Sequence, residues 1–211
     1  MNQTKLLCVV GLLLGSVLPA SAQPVADSAP AVDKIAKGLL MKHGERLIFA
    51  PCRDRSYVNV EDVSANAAVT ASLNEFGLGE GKNLYVEFMG KLDGGLLRVS
   101  AINLARREAR CWQAGGPDEL WRAAGQQPGW TLVAGAGQLR LSRDGKADLN
   151  AAYNEIRNAD GVAQIVTGDA AKGDWRFRRQ SCVDQKAGIL FGWQAEVKVD
   201  GQLLRGCAWQ R

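Results

Sequence analysis

The chain has 211 residues, 46% of them hydrophobic, with 26 Lys and Arg against 22 Asp and Glu. That is enough apolar material for one large or two small domains, and a formal charge of +4 without a block of like charges argues against nucleic acid as a partner. One histidine and three methionines leave little from which to build His-rich zinc or Met-rich copper sites.

The chain opens with "MNQTKLLCVVGLLLGSVLPASA": one cation at Lys5, an apolar run from Leu6 to about Leu18, then the small-x-small triplet Ala20-Ser21-Ala22. Gly15, Ser16 and Pro19 break the run, which is short for a membrane span. The pattern predicts a secretory signal peptide at 1–22, cleaved before Gln23, with delivery to the periplasm and no stable membrane anchor afterwards. Cys8 is preceded by Lys5-Leu6-Leu7, which lacks the small residue a lipoprotein cysteine needs, so Cys8 is expected to leave with the signal. Losing Lys5 leaves 25 cations (26 minus one) against 22 anions.

Residues 23–38 read as leader and linker, rich in Ala, Pro, Ser and Asp at first. A short helix is expected at its end, because Val32, Ile35 and Leu39 have helical spacing, with Gly38 its weak point. Residues 39–113 predict a small barrel. The strands "RLIFAPC" and "SYVNVEDV" precede "SANAAVTASLNEFG", a helix capped by Ser64, closed by Gly77 and carrying Val69, Leu73 and Phe76 on one face. "NLYVEFMGKL" and "GLLRVSAINLARREARC" supply two further extended segments. The Gly-, Pro- and Gln-rich stretch 114–128 reads as a connection, with one helical turn over 118–123. From 129 to 211 strand signals return: "WTLVA" and "QLRLS" as a hairpin, "GDWRFRRQSC", and "WQAEVKVDGQLLRGCAW" turning on Asp200-Gly201. Residues 149–166 stay open between helix and strand, since Leu149, Tyr153 and Ile156 also fit a helix face. The expected fold class is mostly β, a β-rich α+β chain of two small disulfide-tied, barrel-like domains, the first with one helix.

Four cysteines remain beyond the signal: Cys52, Cys111, Cys182 and Cys207. In an exported protein an even set points to disulfides, and no closely spaced pair suggests redox catalysis or thiolate metal binding. Three pairings are open; pairing within each domain, Cys52 with Cys111 and Cys182 with Cys207, is the expectation. Closing loops of about 60 and about 26 residues restrains the unfolded chain by roughly 3 to 4 kcal/mol each.

Chemistry-bearing patterns are sparse. His43, in "MKHGER", has no Ser or Asp in a nucleophile motif, which speaks against a catalytic triad. Asp184, Glu196 and Asp200 are carboxylates with no sign of the pairing a glycosidase requires. "GLGEGKN" lacks the spacing of a phosphate loop and follows a helix. In "DWRFRRQ" a strand would turn Trp175 and Phe177 inward and project Arg176 and Arg178 outward, where they form a weak candidate anion-binding face against the plainer reading of a solvated strand. Trp130, Trp193 and Trp209 read as packing residues. No catalytic residue, metal ligand or cofactor is expected.

"LIFAPCRDRSYVNV", followed by a helix and "LYVEFMG", resembles the OB-like domain of the envelope lipoprotein NlpE and its relatives. "PGWTL", "SCVD" and "VDGQLLRGCA" look like an uncharacterised bacterial periplasmic family, similar in style to the small META/HslJ-type β domains. The chain departs from these in lacking a lipoprotein cysteine and a closely spaced cysteine pair, and in having "CVDQKAG" where the family shows Met-Ser after Cys-x-Asp. The resemblance implies a non-enzymatic envelope protein that binds a protein partner or small ligand, in stress response or envelope maintenance. The alternative is an inhibitor of a secreted hydrolase such as lysozyme.

Overall fold

Two closed β-barrels follow one another along the chain in the computed structural model, which describes residues 34–112, 115–168 and 172–211. The expected signal peptide and the leader as far as residue 33, Val32 included, lie outside the described residues. The first barrel comprises β1 (Lys34–His43), β2 (Arg46–Pro51), β3 (Val58–Asp62), helix α1 (Ala68–Phe76), β4 (Asn83–Asp93) and β5 (Leu96–Arg106). β1 pairs antiparallel with β2 and β4, β2 with β3, and β4 with β5. The ring closes through a parallel pairing of β3 with β5. A parallel return requires a crossover, and α1 is part of it. This is the five-stranded OB arrangement, and Val69, Leu73 and Phe76 seat the helix on a core with Leu40, Phe49, Val86, Phe88 and Val99.

The start of α1 is held from upstream. The Val69 N–H donates to Ser64 Oγ at 3.1 Å and the Thr70 N–H to Asp62 Oδ2 at 2.7 Å, across a 3-10 turn at Ala65–Ala67. Burial raises the Asp62 carboxyl pKa, but bonds from the Ser64 hydroxyl, from Thr70 and from the Ser64 N–H outweigh it and hold the group below its ordinary value. Ser64 is therefore not the N-cap expected of it: that position is Ala67, and Ser64, from before the 3-10 turn, reaches the first turn of α1 through Val69 while Asp62 takes Thr70.

The segment expected as a leader with a short helix is instead strand from Lys34 onward. Its apolar residues follow two faces: Ala36 and Leu40 pack into the barrel core, while Leu39 packs on an outer cluster. Gly38 is required by close approach, since a Cβ there would lie 2.4 Å from the Ala50 carbonyl oxygen and 2.5 Å from Phe49 Cζ.

The second barrel runs β6 (Trp121–Gln126), β7 (Gly129–Gly135), β8 (Gln138–Arg143), β9 (Leu149–Ala159), β10 (Val162–Thr167), β11 (Gly173–Asp184), β12 (Ile189–Val199) and β13 (Gln202–Gln210). Each strand pairs antiparallel with the next and β13 returns to β6, an eight-stranded up-and-down barrel. Its interior is filled by Trp121, Trp130, Trp175, Phe177 and Trp193 with aliphatic neighbours. The stretch expected as a linker therefore contains a strand, β6, and 118–123 makes no helical turn. Trp130 explains the small residues there: a Cβ on Gly125 would come within 2.3 Å of Trp130 Nε1, and one on Gly206 within 2.9 Å of Trp130 Cζ2. Residues 149–166 resolve as two strands and their turn. A bulge in β9 pairs Glu155 with Val166 but Tyr153 with Thr167, leaving Asn154 extra. The bulge shifts the alternation by one residue, which is why Leu149, Tyr153 and Ile156 mimic a helix face.

The barrels are joined rather than merely consecutive, and the described residues fall in one compact unit. The first residues of β12 pair with β5, Ile189 to Arg106 through Phe191 to Leu104. Gly192 lets the strands touch: a Cβ there would sit 1.8 Å from the Ile102 carbonyl oxygen. Around this contact Tyr85, Leu104 and Phe191 form a third apolar cluster, against which Trp112, Trp209 and cysteines of both disulfides pack. The bonds are Cys52–Cys111 and Cys182–Cys207, with Cα atoms 5.7 and 5.5 Å apart. Cys182 lies on β11 and Cys207 on β13, so that link straddles β12.

Candidate functional site: the cleft beside Cys52–Cys111

Alternation along β4 sends Leu84, Val86 and Phe88 into the first barrel and Tyr85 and Glu87 out of it, toward the junction. Glu87 is 3% exposed and its carboxylate is fully engaged there. Oε1 accepts the Tyr85 hydroxyl at 2.8 Å and pairs with Lys37 Nζ at 3.4 Å; Oε2 accepts Asn103 Nδ2 at 2.9 Å. The Asn103 amide also receives the Gln210 N–H and donates to the Gln210 carbonyl, imitating a strand partner for the end of β13. Burial, reinforced by the Glu87 charge, pushes the Tyr85 hydroxyl pKa far up, so it remains a donor, and it also reaches the Trp112 carbonyl at 3.0 Å.

Above this network lies a cleft of about 560 Å³ lined by Ile35, Lys37, Pro51, Cys52, Arg53, Cys111, Trp112 and Arg211. The lining holds three cations and no side-chain carboxylate. Lys37, 38% exposed, balances Glu87 from the cleft side, and the Arg211 charge reaches Glu119. Trp112 is fixed by its carbonyl bond to Tyr85 and by the Arg106 guanidinium, 4.6 Å above its ring. Arg53 projects into solvent on the loop after β2. The arrangement presents donors of positive charge beside an apolar wall, which suits a carboxylate or phosphate on an apolar body.

Arg176 and Arg178 do project outward from β11 while Trp175 and Phe177 are buried. Arg176 donates to Asp174 at 2.8 Å and faces Glu196 across the ladder, and Glu196 in turn takes Arg205. An anion on this face competes with carboxylates of the same face, whereas Glu87 and Glu119, which face Lys37 and Arg211, stand outside the cleft lining. The candidate carboxylates are separately engaged: Asp184 by Gln126, Glu196 by Arg205 and Asp200 by Arg143. His43 stands exposed 3.6 Å from Glu80, whose carboxylate also accepts the Gly44 N–H, so "GLGEGKN" closes a turn. Trp130 and Trp193 are interior, and Trp209 packs on Phe191 with ring centroids 5.2 Å apart. Among the described residues no group of three or more His, Cys, Asp or Glu side chains is gathered to hold a metal ion, and no helix is long and apolar enough to cross a membrane.

Lys37, Arg53, Glu87 and Trp112 carried no signal of function in the sequence. Lys37 sat in a presumed leader, and Glu87 occupied an alternating outward position that ordinarily meets water. The available hint was Cys52 next to Arg53, a disulfide holding a basic residue.

Comparison of the chain with protein-family models, with curated proteins and with solved structures found no match.

Proposed function

We propose that this is a non-enzymatic protein of the bacterial envelope, exported by a cleaved signal peptide to the periplasm, that binds a carboxylate- or phosphate-bearing ligand in the cleft beside Cys52–Cys111. The ligand is free or displayed on a partner protein, and the role is envelope maintenance or stress response. The observation that carries this reading is the cleft lining itself, with Lys37, Arg53 and Arg211 about a wall of Ile35, Pro51 and Trp112. Two disulfides fit an oxidising, exported setting. The likeness to NlpE-type OB domains agrees with the reading but does not choose the ligand, because OB barrels serve many partners.

The test is capture from an envelope extract by the mature protein, followed by titration with the captured species and with small dicarboxylates and phosphate. Lys37→Met with Arg53→Ala should weaken retention, and added salt should weaken it further, since exposed charges are screened beyond about 8 Å at 0.15 M. Equal retention by wild type and the double variant refutes the cleft. Retention of a protein but of no small anion identifies a displayed source.

The loop at 52–57 favours a second reading, inhibition of a secreted hydrolase. It is tied at Cys52, and Asp54 accepts both the Ser56 N–H, at 2.7 Å, and the Ser56 hydroxyl. This fixed turn presents Arg53, Arg55 and Tyr57, the last 70% exposed. Arg and Tyr are the residues that dominate protein interfaces, and polysaccharide hydrolases keep paired carboxylates in their clefts. A lysozyme assay with wild type and Tyr57→Ala separates the two readings: inhibition lost in the variant supports the second, and no inhibition by wild type removes it for that enzyme.

A further inference from the structure

The two disulfides sit in different surroundings. Cys182 and Cys207 are both half-buried, tie β11 to β13 across β12, and pack on the cluster of Tyr85, Leu104 and Phe191. Their neighbours along the chain, Ser181, Val183, Gly206 and Ala208, carry no charge. Cys52 packs on the same cluster, but its partner Cys111 is exposed, and both cysteines line the basic cleft. Neither belongs to a strand: Cys52 follows the last residue of β2, and Cys111 lies in the connection from β5 to β6.

Charge separates the two bonds as well. Arg53, next to Cys52, is exposed and has no ion pair among the described residues. Lys37 lines the same cleft, and its carbonyl accepts the Cys52 N–H at 3.0 Å. Arg110, next to Cys111, is engaged by Glu108 at 2.8 Å and adds less. In thiol–disulfide exchange a thiolate attacks the sulfur it can reach, and the rate rises with the ease with which the other sulfur departs as an anion. A cation beside the departing sulfur stabilises that thiolate. Here the sulfur within reach belongs to Cys111, and the one with cations about it belongs to Cys52.

From this contrast we infer that Cys52–Cys111 is a site of thiol–disulfide exchange, attacked at Cys111 by a low-molecular-weight thiol, while Cys182–Cys207 serves structure alone. The incoming thiolate bonds to Cys111 Sγ, the bond between the two Sγ atoms breaks, and its electron pair leaves on Cys52 Sγ. A mixed disulfide remains on Cys111. A second molecule of thiol, attacking the sulfur of the first, frees Cys111 and completes a two-electron reduction in which the two thiols become a disulfide. No strand ladder runs through the bond. After it opens, Cys52 keeps its N–H bond to Lys37 and Trp112 its carbonyl bond to Tyr85. Exchange therefore unties the loop carrying Arg53 from the segment carrying Trp112 without dismantling either barrel. The inference stands whether or not the cleft holds an anion.

The test incubates the oxidised full mature chain with mercaptoethanol, a small uncharged thiol. Samples are trapped with iodoacetamide over time and their digests read by mass spectrometry, with far-ultraviolet dichroism recorded alongside. Cys111 should acquire the mercaptoethanol group and Cys52 the acetamide group while Cys182–Cys207 stays joined, the two bonds differing in rate by about tenfold or more. The dichroism should hold while the first bond opens. Arg53→Ala should slow the exchange several-fold, and Arg53→Lys should restore it. Opening of Cys182–Cys207 at the same rate overturns the inference, as does mercaptoethanol found on Cys52 in place of Cys111. So does a Cys52–Cys111 bond that stays closed, one that opens only as the dichroism collapses, or a rate untouched in Arg53→Ala.

Discussion

Replacing Glu87 tests whether the polar network at the junction holds the barrels together. Glu87→Ala removes the acceptor for two charge-assisted bonds, from Tyr85 at 2.8 Å and Asn103 at 2.9 Å. Each such bond is worth about 1.5 to 3 kcal/mol. Two offsets reduce the total: both donors keep a second acceptor, in the Trp112 and Gln210 carbonyls, and the burial of a carboxylate is relieved. Lys37 is exposed enough to be rehydrated, so its lost pair contributes little. The expected net loss is roughly 2 to 4 kcal/mol. At about 2 to 4 °C per kcal/mol for a chain of this size, the midpoint should fall by roughly 4 to 16 °C. Glu87→Gln keeps the volume and one acceptor and should lose about 1 to 2 kcal/mol. Urea unfolding followed by tryptophan fluorescence and by far-ultraviolet dichroism reads both variants. Midpoints for Glu87→Ala within about 0.5 kcal/mol of wild type would refute the reasoning, because surface substitutions alone fall in that range.

Gly192→Ala should destabilise by about 1 to 3 kcal/mol or more through overpacking against the Ile102 backbone, and an unchanged thermal midpoint would mean that β12 and β5 are not pressed together. Because the folded-state pKa of Asp62 is depressed, the stability it contributes is present above its unfolded value, about 3.9, and is lost as pH falls through the folded one; Asp62→Asn should flatten the stability profile in that acid range, measured by thermal scans at stepped pH. Non-reducing peptide mapping should recover Cys52 with Cys111 and Cys182 with Cys207, and the double serine variant of the second pair should lose roughly 3 kcal/mol in chemical denaturation. Mass spectrometry of the exported protein should place its first residue at Gln23, and an uncleaved or lipid-modified species would contradict the proposed processing.

What could be read in the sequence was whatever depends on neighbours in the chain. The helix carrying Val69, Leu73 and Phe76, the turn at Asp200-Gly201 and the alternation of "DWRFRRQ" are local patterns, and each is found in place. What escaped is set by the junction. β1 is packed on both faces, so Leu39 and Leu40 are both engaged and period two is blurred. β6 resembles a loop in composition because Trp130 packs over Gly125 and the neighbouring strand. The bulge at Asn154 disguised β9. The cleft was illegible because Lys37, Arg53, Trp112 and Arg211 are brought together by a disulfide and by the docking of the last strand, neither of which has a local signature.

Each of the thirteen strands among the described residues has a hydrogen-bonded neighbour on both sides. An unpaired sheet edge is where β-rich proteins recruit foreign strands, whether in aggregation or in recognition of extended peptides. Closure of both rings removes that mode here. Whatever this molecule recognises must be met by side chains at loops, rims and clefts, and crowding of many copies should not seed growth from one chain to the next while both rings remain shut.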